Sequence, residues 1–220
     1  MSIKIKMEDA DFVEDVLKCV EQRKEFNGKA VTLFWSGGVD STYLLCWLLS
    51  HGYEVHTIYC DIKNNSPKTK RERWARDNIR SKLLNIPLLC DHWTHHSTPI
   101  AEYSVPSGGF RACLAQAPFW LLSTLLKGDS LPSDYLIAYV NGDDAIYWLP
   151  EFKKVISAYQ GLLPGKDSVT VQFPLVNNKK SWFYGSMKPL HGLMTWCEEP
   201  VLRKNCDCPA CKTHRYQLED

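Results

Sequence analysis

The chain alternates short apolar runs with longer amphipathic stretches, and this pattern predicts an α/β protein. Apolar runs bounded by glycine, proline or polar residues predict strands over 30–35, 53–62, 87–93, 134–141 and 168–175. Helical periodicity predicts helices over 8–28, 41–50, 66–85, 110–126 and 150–163, with a loop over 94–109. The first strand, a glycine turn, a helix and the second strand form a βαβ unit. We therefore expect a doubly wound, mostly parallel sheet.

The composition fits one folded domain with a sizeable core. Of the 220 residues, 45% are apolar, and 26 Lys and Arg against 25 Asp and Glu give a formal net charge of +1. This balance argues against a polybasic nucleic-acid wrapper and against a disordered chain. No apolar run reaches the roughly 18 to 20 residues that span a bilayer, and the N-terminus lacks the apolar segment of a signal peptide. We therefore expect a cytoplasmic protein with no membrane partner and with reduced cysteines.

Four of the nine cysteines are clustered near the C-terminus. They are spaced C-x8-C-x-C-x2-C and are Cys197, Cys206, Cys208 and Cys211. Four thiolates close together are typical of the closed tetrahedral shell of a structural Zn²⁺ ion, whereas the other interpretations are free thiols on a tail or a pair of disulfides. We therefore expect an α/β domain over 1–190 and a zinc-binding segment over 191–220 packed on it.

The segment W-S-G-G-V-D-S-T at 35–42 lies between the first predicted strand and its helix. Gly37 and Gly38 allow a tight turn and a close approach to a ligand, and the free N–H groups of the following helix favour an anion. The two serines add hydroxyl groups, and Asp40 can orient the turn or help to bind Mg²⁺. A Walker loop needs a lysine after its glycines, and a dinucleotide fingerprint needs G-x-G-x-x-G, so neither matches. An anion cradle is predicted, and a plain helix N-cap is the other interpretation.

The sequence S-G-G-V-D-S at 36–41 resembles the SGGxDS loop of the PP-loop ATP pyrophosphatases. In that superfamily the loop binds the pyrophosphate of ATP, and AMP is transferred to an oxygen of the substrate. Further segments resemble one branch, the 7-cyano-7-deazaguanine synthases. They are Y-V-N-G-D-D at 139–144 with P-E-F at 150–152, P-L at 174–175 with Lys180 five residues after the leucine, and T-W-C at 195–197 opening the four-cysteine cluster.

The chain departs from that family at several of its segments. One residue, where two are usual, separates the second and third cysteines of the cluster, and Trp182 stands where the family has a glutamate. D-I-K-N-N at 61–65 replaces a Gln-Arg-His-like segment, and V-P-S-G-G-F-R at 105–111 only loosely represents a Pro-Gly-Arg-Asn segment of the substrate pocket.

The resemblance implies a fold of the adenine nucleotide alpha-hydrolase type and an ATP-dependent ligase. The implied reaction converts the carboxylate of 7-carboxy-7-deazaguanine to a nitrile, with ammonia as nitrogen source and Mg²⁺ accompanying ATP. The product would serve queuosine-type modification of guanine in tRNA or DNA. The residues implied in ATP binding are Trp35, Ser36, Gly37, Gly38, Val39, Asp40, Ser41, Thr42 and Asp61.

The resemblance also suggests catalytic and substrate-binding residues. Lys180 is the candidate for neutralising charge on the α-phosphate, with a solvated surface lysine as the alternative. Asp144 is the second catalytic candidate, through Mg²⁺ or through the purine-like edge of the substrate. Asn141 and Arg111 are the candidates for substrate binding, Arg111 through the carboxylate. A turn-forming Asn141 is the alternative there.

Two polar segments are interpreted structurally, and two other functions stay open. H-W-T-H-H at 92–96 matches no metal-ligand spacing and is interpreted as a strand end running into a loop. The mixed charges over 68–76 predict a solvated helix face with ion pairs rather than an RNA contact. The other functions are a PP-loop enzyme that modifies a tRNA or another carboxylate or amide substrate, and a nucleotide-binding relative without turnover. We expect small-molecule partners rather than nucleic acid, and a homodimer is one option for the assembly.

Overall fold

The computed structural model describes residues 3–7, 14–62, 66–87, 89–97, 101–103, 131–162 and 169–196, together with residues 208, 210–212 and 214. The α-helices are α1 (Val16–Glu21), α2 (Val39–Ser50), α3 (Ser66–Leu83), α4 (Leu149–Gly161) and α5 (Ser181–Tyr184), with 3₁₀ helices at Leu89–Asp91, Asp144–Trp148 and Gly185–Leu193. The strands are β1 (Ala30–Phe34), β2 (Glu54–Ile58), β3 (Cys60–Ile62), β4 (Trp93–His95), β5 (Ala101–Tyr103), β6 (Asp134–Leu136) and β7 (Thr170–Gln172).

Five of these strands form one all-parallel sheet in the order β4-β2-β1-β6-β7. The central strand β1 pairs with β2 on one side and with β6 on the other, so that Leu33 lies opposite both Thr57 and Leu136. The remaining strands, β3 and β5, form a separate parallel pair. Because the strand order reverses between β1 and β6, a crevice is expected outside the carboxyl ends of these two strands.

Helices cover both faces of the sheet, because apolar side chains of β1 point to both sides of it. Val31 and Leu33 pack into a core shared with α1, α2 and α3, whereas Phe34 packs into a second core with Phe152 and Ile156 of α4. Strands that are buried on both faces read as continuous apolar runs, which explains the run that predicted β1. The expected α/β fold with a parallel sheet flanked by helices is therefore confirmed.

The structure corrects the predicted helix over 8–28. Its described part is helical only from Val16 to Glu21, and residues 8–13 lie outside the described residues. Beyond Glu21 the backbone N–H groups of Lys24 and Asn27 donate to the carbonyls of Ser50 and Gly52 at 2.9 Å. These long-range bonds replace the helical ones, and a pattern of apolar residues cannot reveal them.

Other predicted bounds also change. The strand over 53–62 is divided at Tyr59 into β2 and β3, and the helix after β1 begins at Val39 rather than at 41. The prediction of a strand over 87–93 was wrong, because 89–91 is a 3₁₀ helix and β4 starts at Trp93. The predicted loop over 94–109 contains the end of β4 and all of β5. The predicted helix over 110–126 lies outside the described residues.

In the part of the chain that the structure describes, no helix has the length and apolar character needed to cross a membrane.

Candidate functional site

A cleft of about 190 Å³ lies at the carboxyl ends of β1, β2 and β6. It is lined by the end of β1, by most of the 36–41 loop, by 58–60 at the end of β2, and by 137–139 and Asp143 after β6. This is the position at which open parallel sheets bind their ligands. The S-G-G-V-D-S segment, the strand that leads to it and the segment after β6 therefore meet at one cavity.

Gly37 allows the loop to pass tightly over α3. Its φ of +83° lies in the left-handed region, and a Cβ placed there would lie 3.0 Å from the Ala75 Cβ and 3.1 Å from the Arg76 backbone nitrogen. A side chain at this position would meet both unfavourable backbone geometry and a helix backbone. The expected tight glycine turn is present, and the need for it comes from α3 beneath the loop.

The serine hydroxyls of the loop lie at the N-terminus of α2. Ser36 Oγ accepts a hydrogen bond from the Gly38 N–H at 3.2 Å and lies 3.2 Å from Ser41 Oγ. Gly38 is the N-cap residue of α2 and has no side chain to satisfy the first N–H groups of the helix. Those donors and the positive end of the helix dipole are thus available to an anion in the cleft.

The structure divides the residues predicted to bind ATP into two groups. Trp35, Val39 and Thr42 are buried, and Trp35 Nε1 donates to Thr42 Oγ1 at 3.0 Å, so these side chains build the core under the loop. Val39 and Thr42 are not part of the cleft lining. Trp35 is part of it, together with Ser36, Gly38, Asp40 and Ser41.

Lys180 is brought to the loop from the segment that follows β7. Its Nζ lies 2.8 Å from Asp40 Oδ2, and both side chains are only partly exposed. The other carboxylate oxygen, Asp40 Oδ1, is buried and has no hydrogen-bond partner among the described residues. A cation and a carboxylate oxygen thus stand at the mouth of an anion cradle. Carboxylate oxygen is the donor type that Mg²⁺ prefers, so Asp40 fits the Mg²⁺ expected with ATP.

The segment after β6 adjoins the segment that carries Lys180. The Asn141 backbone N–H donates to the Asn178 carbonyl at 2.9 Å, and Asn141 pairs with Lys179 as a parallel bridge. The Asn141 side chain is exposed. Asp144 opens the 3₁₀ helix after this turn, and its side chain lies outside what the structure describes.

Asp143, which the sequence did not single out, lines the cleft. Its Oδ2 accepts the Val140 N–H at 2.9 Å and so fixes the turn. The signal was present in the sequence as a pair of adjacent aspartates, of which Asp144 was the candidate.

Asp61 and Arg111 were the remaining candidates for binding ATP and the substrate. Asp61 is buried on β3 and accepts a hydrogen bond from Arg73 at 3.3 Å. It does not belong to the cleft lining. Arg111 lies outside the described residues.

Tyr59 and Arg76, two residues that the sequence did not place in a site, lie beside the loop. Tyr59 lines the cleft, and its hydroxyl donates to Glu72 Oε2 at 2.5 Å. The Arg76 guanidinium carbon lies 3.4 Å from the centre of the Tyr59 ring. The prediction of a solvated face over 68–76 was wrong for Arg76, which is only 2% exposed. The sequence did carry a signal for the burial of Arg76. Helical spacing places it on one inward face of α3 with residues 69, 72, 79 and 83.

The start of the C-terminal segment also touches the loop. The Thr195 N–H donates to the Gly37 carbonyl at 3.2 Å, and Thr195 pairs with Gly38 as a parallel bridge. Trp196 packs against Cys208 and Cys211, both of which are buried. The segment that resembles the opening of the zinc cluster therefore lies next to the candidate anion cradle.

Two of the four predicted zinc ligands lie in the described part of the chain. The Cys211 N–H points to Cys208 Sγ at 3.4 Å, an arrangement that stabilises a thiolate. Cys197 and Cys206 lie outside the described residues. Within the described part, no group of three or more His, Cys, Asp or Glu residues is arranged to hold a metal ion. The zinc site therefore stays a prediction.

The histidine-rich segment forms β4 and packs behind the loop. His95 Nδ1 lies 2.9 Å from Thr57 Oγ1, and its ring meets the edge of Trp35 at 5.1 Å. Burial, together with the nearby charges of Arg76 and Arg80, lowers the pKa of His95 to about 3. His95 is therefore a neutral residue that supports the core beneath the candidate site.

Comparison with protein-family models and with curated proteins finds no match to this chain. The chemistry open to the site therefore rests on its own residues. Serine hydroxyls, the Asp40 carboxylate and the N-terminus of α2 border one cleft, and Lys180 reaches that carboxylate at 2.8 Å. These groups suit a phosphate chain better than an uncharged ligand.

Proposed function

We propose that this chain is an ATP-dependent ligase of the PP-loop type, similar to the 7-cyano-7-deazaguanine synthases. The single observation that supports this most is the position of Lys180, which reaches Asp40 of the S-G-G-V-D-S loop at 2.8 Å. Both residues were named from separate sequence segments, and a phosphate-activating site needs them together. The proposed substrates are ATP, ammonia and 7-carboxy-7-deazaguanine.

The chemical problem is that a carboxylate is a poor electrophile and its oxygen a poor leaving group. In the proposed reaction a carboxylate oxygen attacks the α-phosphorus of ATP, and pyrophosphate leaves. Ammonia then displaces AMP and gives the amide. A second ATP activates the amide oxygen in the same way, and loss of AMP gives the nitrile. No protein nucleophile is needed, so positioning and charge must provide the rate.

Each part of the site has a place in this scheme. The backbone N–H groups after Gly37 and the hydroxyls of Ser36 and Ser41 hold the leaving pyrophosphate. Lys180 neutralises charge that develops on the α-phosphate, and Asp40 holds its ammonium group in place until ATP arrives. Mg²⁺, when bound, would screen the phosphate charges, and Asp40 Oδ1 is the oxygen available to it.

We also propose the finer features that this family implies. The sheet would be doubly wound in the manner of the adenine nucleotide alpha-hydrolases, and Cys197, Cys206, Cys208 and Cys211 would hold one structural Zn²⁺. Such a zinc ion would anchor the segment after Thr195 against the loop, because Thr195 already pairs with Gly38. It would act through folding rather than through chemistry, since four thiolates leave no open coordination position.

Product analysis tests the proposal. The purified chain is incubated with Mg²⁺, ATP, ammonium and 7-carboxy-7-deazaguanine, and the nucleotides and bases are identified by mass spectrometry. We expect AMP, pyrophosphate and the nitrile, and omission of the carboxylate should abolish AMP formation. ATP binding without turnover would favour the nucleotide-binding relative, and AMP formation only with added tRNA would favour the macromolecular substrate.

A further inference from the structure

The arginine buried beneath the loop has no place in the scheme above. Arg76 belongs to α3, the helix whose backbone lies 3.1 Å from the position of a Cβ on Gly37. Its Nη1 points to the Ser36 carbonyl oxygen at 3.4 Å, and its guanidinium carbon lies 3.4 Å from the centre of the Tyr59 ring. One planar cation thus contacts both the first residue of the loop and a wall of the cleft.

Burial of a charged group at this position costs free energy, which indicates that the charge contributes to function. Arg76 is only 2% exposed, and burial is the main effect that lowers its pKa, while Tyr59 and Glu72 act in the opposite direction. Arginine remains protonated under these conditions. Among the described residues Arg76 forms no ion pair, although a buried cation is normally paired with a carboxylate. Glu72 offsets the burial of this charge only in part, and an anion in the cleft would add to that compensation.

The contacts also fix the direction of the loop. The C=O and N–H of a trans peptide point in opposite directions, so a guanidinium that holds the Ser36 carbonyl turns the Gly37 N–H away from Arg76. Tyr59 cannot swing away from its place, because its hydroxyl is bound to Glu72 at 2.5 Å while its ring lies against Arg76. The network Glu72–Tyr59–Arg76–Ser36 therefore links one helix, one cleft wall and the anion cradle.

We propose that Arg76 is a positioning residue for the phosphate chain of ATP, acting through the Ser36 carbonyl and through its buried charge. This inference rests on the proposed function, because it concerns the same loop. Arg76 does not touch the ligand; it holds the cradle in the geometry that receives pyrophosphate and balances the negative charge there. Its loss should weaken ATP binding and leave the chemical step, which depends on Lys180, largely intact.

The test is the steady-state kinetics of pyrophosphate release, with isothermal titration of ATP and of inorganic pyrophosphate as a second readout. Arg76→Met removes the charge and keeps most of the volume. We expect the KM for ATP and both dissociation constants to rise about tenfold to hundredfold, as for a lost hydrogen bond to a charged group. We expect kcat to stay within about threefold. Arg80→Met removes an exposed arginine one turn further along α3 and should leave all of these values near those of the natural protein.

Arg76→Lys keeps the charge but cannot both stack on Tyr59 and bond to Ser36, so its KM should rise by less than about tenfold. This variant decides the matter if Arg76→Met does not fold. A merely structural role would lower the melting temperature and the active fraction, and therefore kcat, with KM unchanged. An unchanged KM in a folded Arg76 variant overturns the inference and leaves the proposed function standing. Failure of the natural protein to bind ATP or pyrophosphate overturns the proposed function itself, and this inference with it.

Discussion

The ammonium group of Lys180 lies 2.8 Å from the carboxylate of Asp40, although the two residues are far apart in the sequence. Asp40 is in the first turn of α2, and Lys180 immediately precedes α5. The bridge between Asn141 and Lys179 fixes the backbone on one side of this contact. The pair joins the 36–41 loop to a segment from the other half of the chain.

The first prediction concerns this pair. Lys180→Ala should lower the rate of AMP formation about a hundredfold to a thousandfold, as loss of a group that stabilises developing charge does. ATP binding should change much less, because the N–H groups of the loop remain. The measurement is single-turnover AMP formation at saturating ATP, compared with the dissociation constant for ATP.

Lys179→Ala is the matched control for that experiment. Lys179 has the same charge and lies next to Lys180, but its side chain is exposed. Its replacement should change the rate by no more than about twofold, as is usual for a surface substitution. Equal losses in the two variants would show that general positive charge, and not the Lys180 contact, matters.

Gly37→Ala tests the packing of the loop on α3. Alanine would adopt a left-handed backbone at a cost of about 1–2 kcal/mol, and its Cβ would lie 3.0 Å from the Ala75 Cβ, which adds an overpacking cost of about 1–3 kcal/mol. Denaturant unfolding measures the sum. ATP binding should be lost even where the protein still folds, because the cradle must move away from the helix.

Gly28→Ala isolates the backbone part of that effect. Gly28 has a φ of +75°, close to that of Gly37, and a Cβ there would meet nothing within 4 Å. We expect only the cost of about 1–2 kcal/mol for the left-handed conformation, with ATP binding unchanged. If the two variants are equally unstable and bind ATP equally well, the close approach of α3 to the loop does not matter for ATP binding.

The sequence predicted the loop, its helix and the parallel sheet because these depend on local signals. Glycines after an apolar strand, the 3.6-residue period of α3 and the short apolar run of β1 are all local. The end of α1 at Glu21 depended instead on the carbonyls of Ser50 and Gly52 at the end of α2. The division at Tyr59 lies where the pairing changes from β1 and β4 to β5. Contacts between distant segments produce no periodic pattern in the sequence.

The same distinction applies to the candidate site. Ser36, Asp40 and Lys180 were named from short motifs, and the structure brings them together. Arg76 was interpreted as solvated because a charged residue is normally exposed, and its burial follows from the position of the loop above α3. Asp143 reaches the cleft because the turn after β6 is closed by its bond to the Val140 N–H, which no motif could reveal.

Acid should destabilise the protein partly through His95. Its pKa falls from 6.5 in an exposed histidine to about 3 in the folded protein, chiefly because the ring is buried. Between these two values the unfolded chain binds a proton that the folded chain does not. The free energy of unfolding should therefore fall, as the pH decreases through that window, by about 1.4 kcal/mol per pH unit from this residue.

His95→Asn should remove that contribution, because asparagine retains a nitrogen near Thr57 and does not titrate. The measurement is the free energy of unfolding in urea at several pH values for both proteins. Parallel curves for His95→Asn and the natural protein between pH 6.5 and pH 3 would contradict the assignment.

Metal analysis tests the cysteine cluster. The purified protein should contain one zinc ion per chain, and Cys208→Ser should release it, because a tetrahedral site that loses a thiolate binds zinc far more weakly. ATP turnover should fall as well, since the segment that begins at Thr195 pairs with the loop. Cys90→Ser alters an exposed cysteine and should retain the metal. Full zinc content in Cys208→Ser would exclude Cys208 as a ligand.

The most direct test of the central claim is the fate of the carboxylate oxygens. Natural protein is incubated with ATP, ammonium and 7-carboxy-7-deazaguanine carrying ¹⁸O in both carboxylate positions, and the AMP is examined by mass spectrometry. Transfer of AMP to the substrate oxygen predicts one ¹⁸O atom in each AMP formed, with two AMP for each nitrile. AMP without ¹⁸O, or formation of ADP and phosphate in its place, would contradict the proposal that this cleft activates a carboxylate by adenylation.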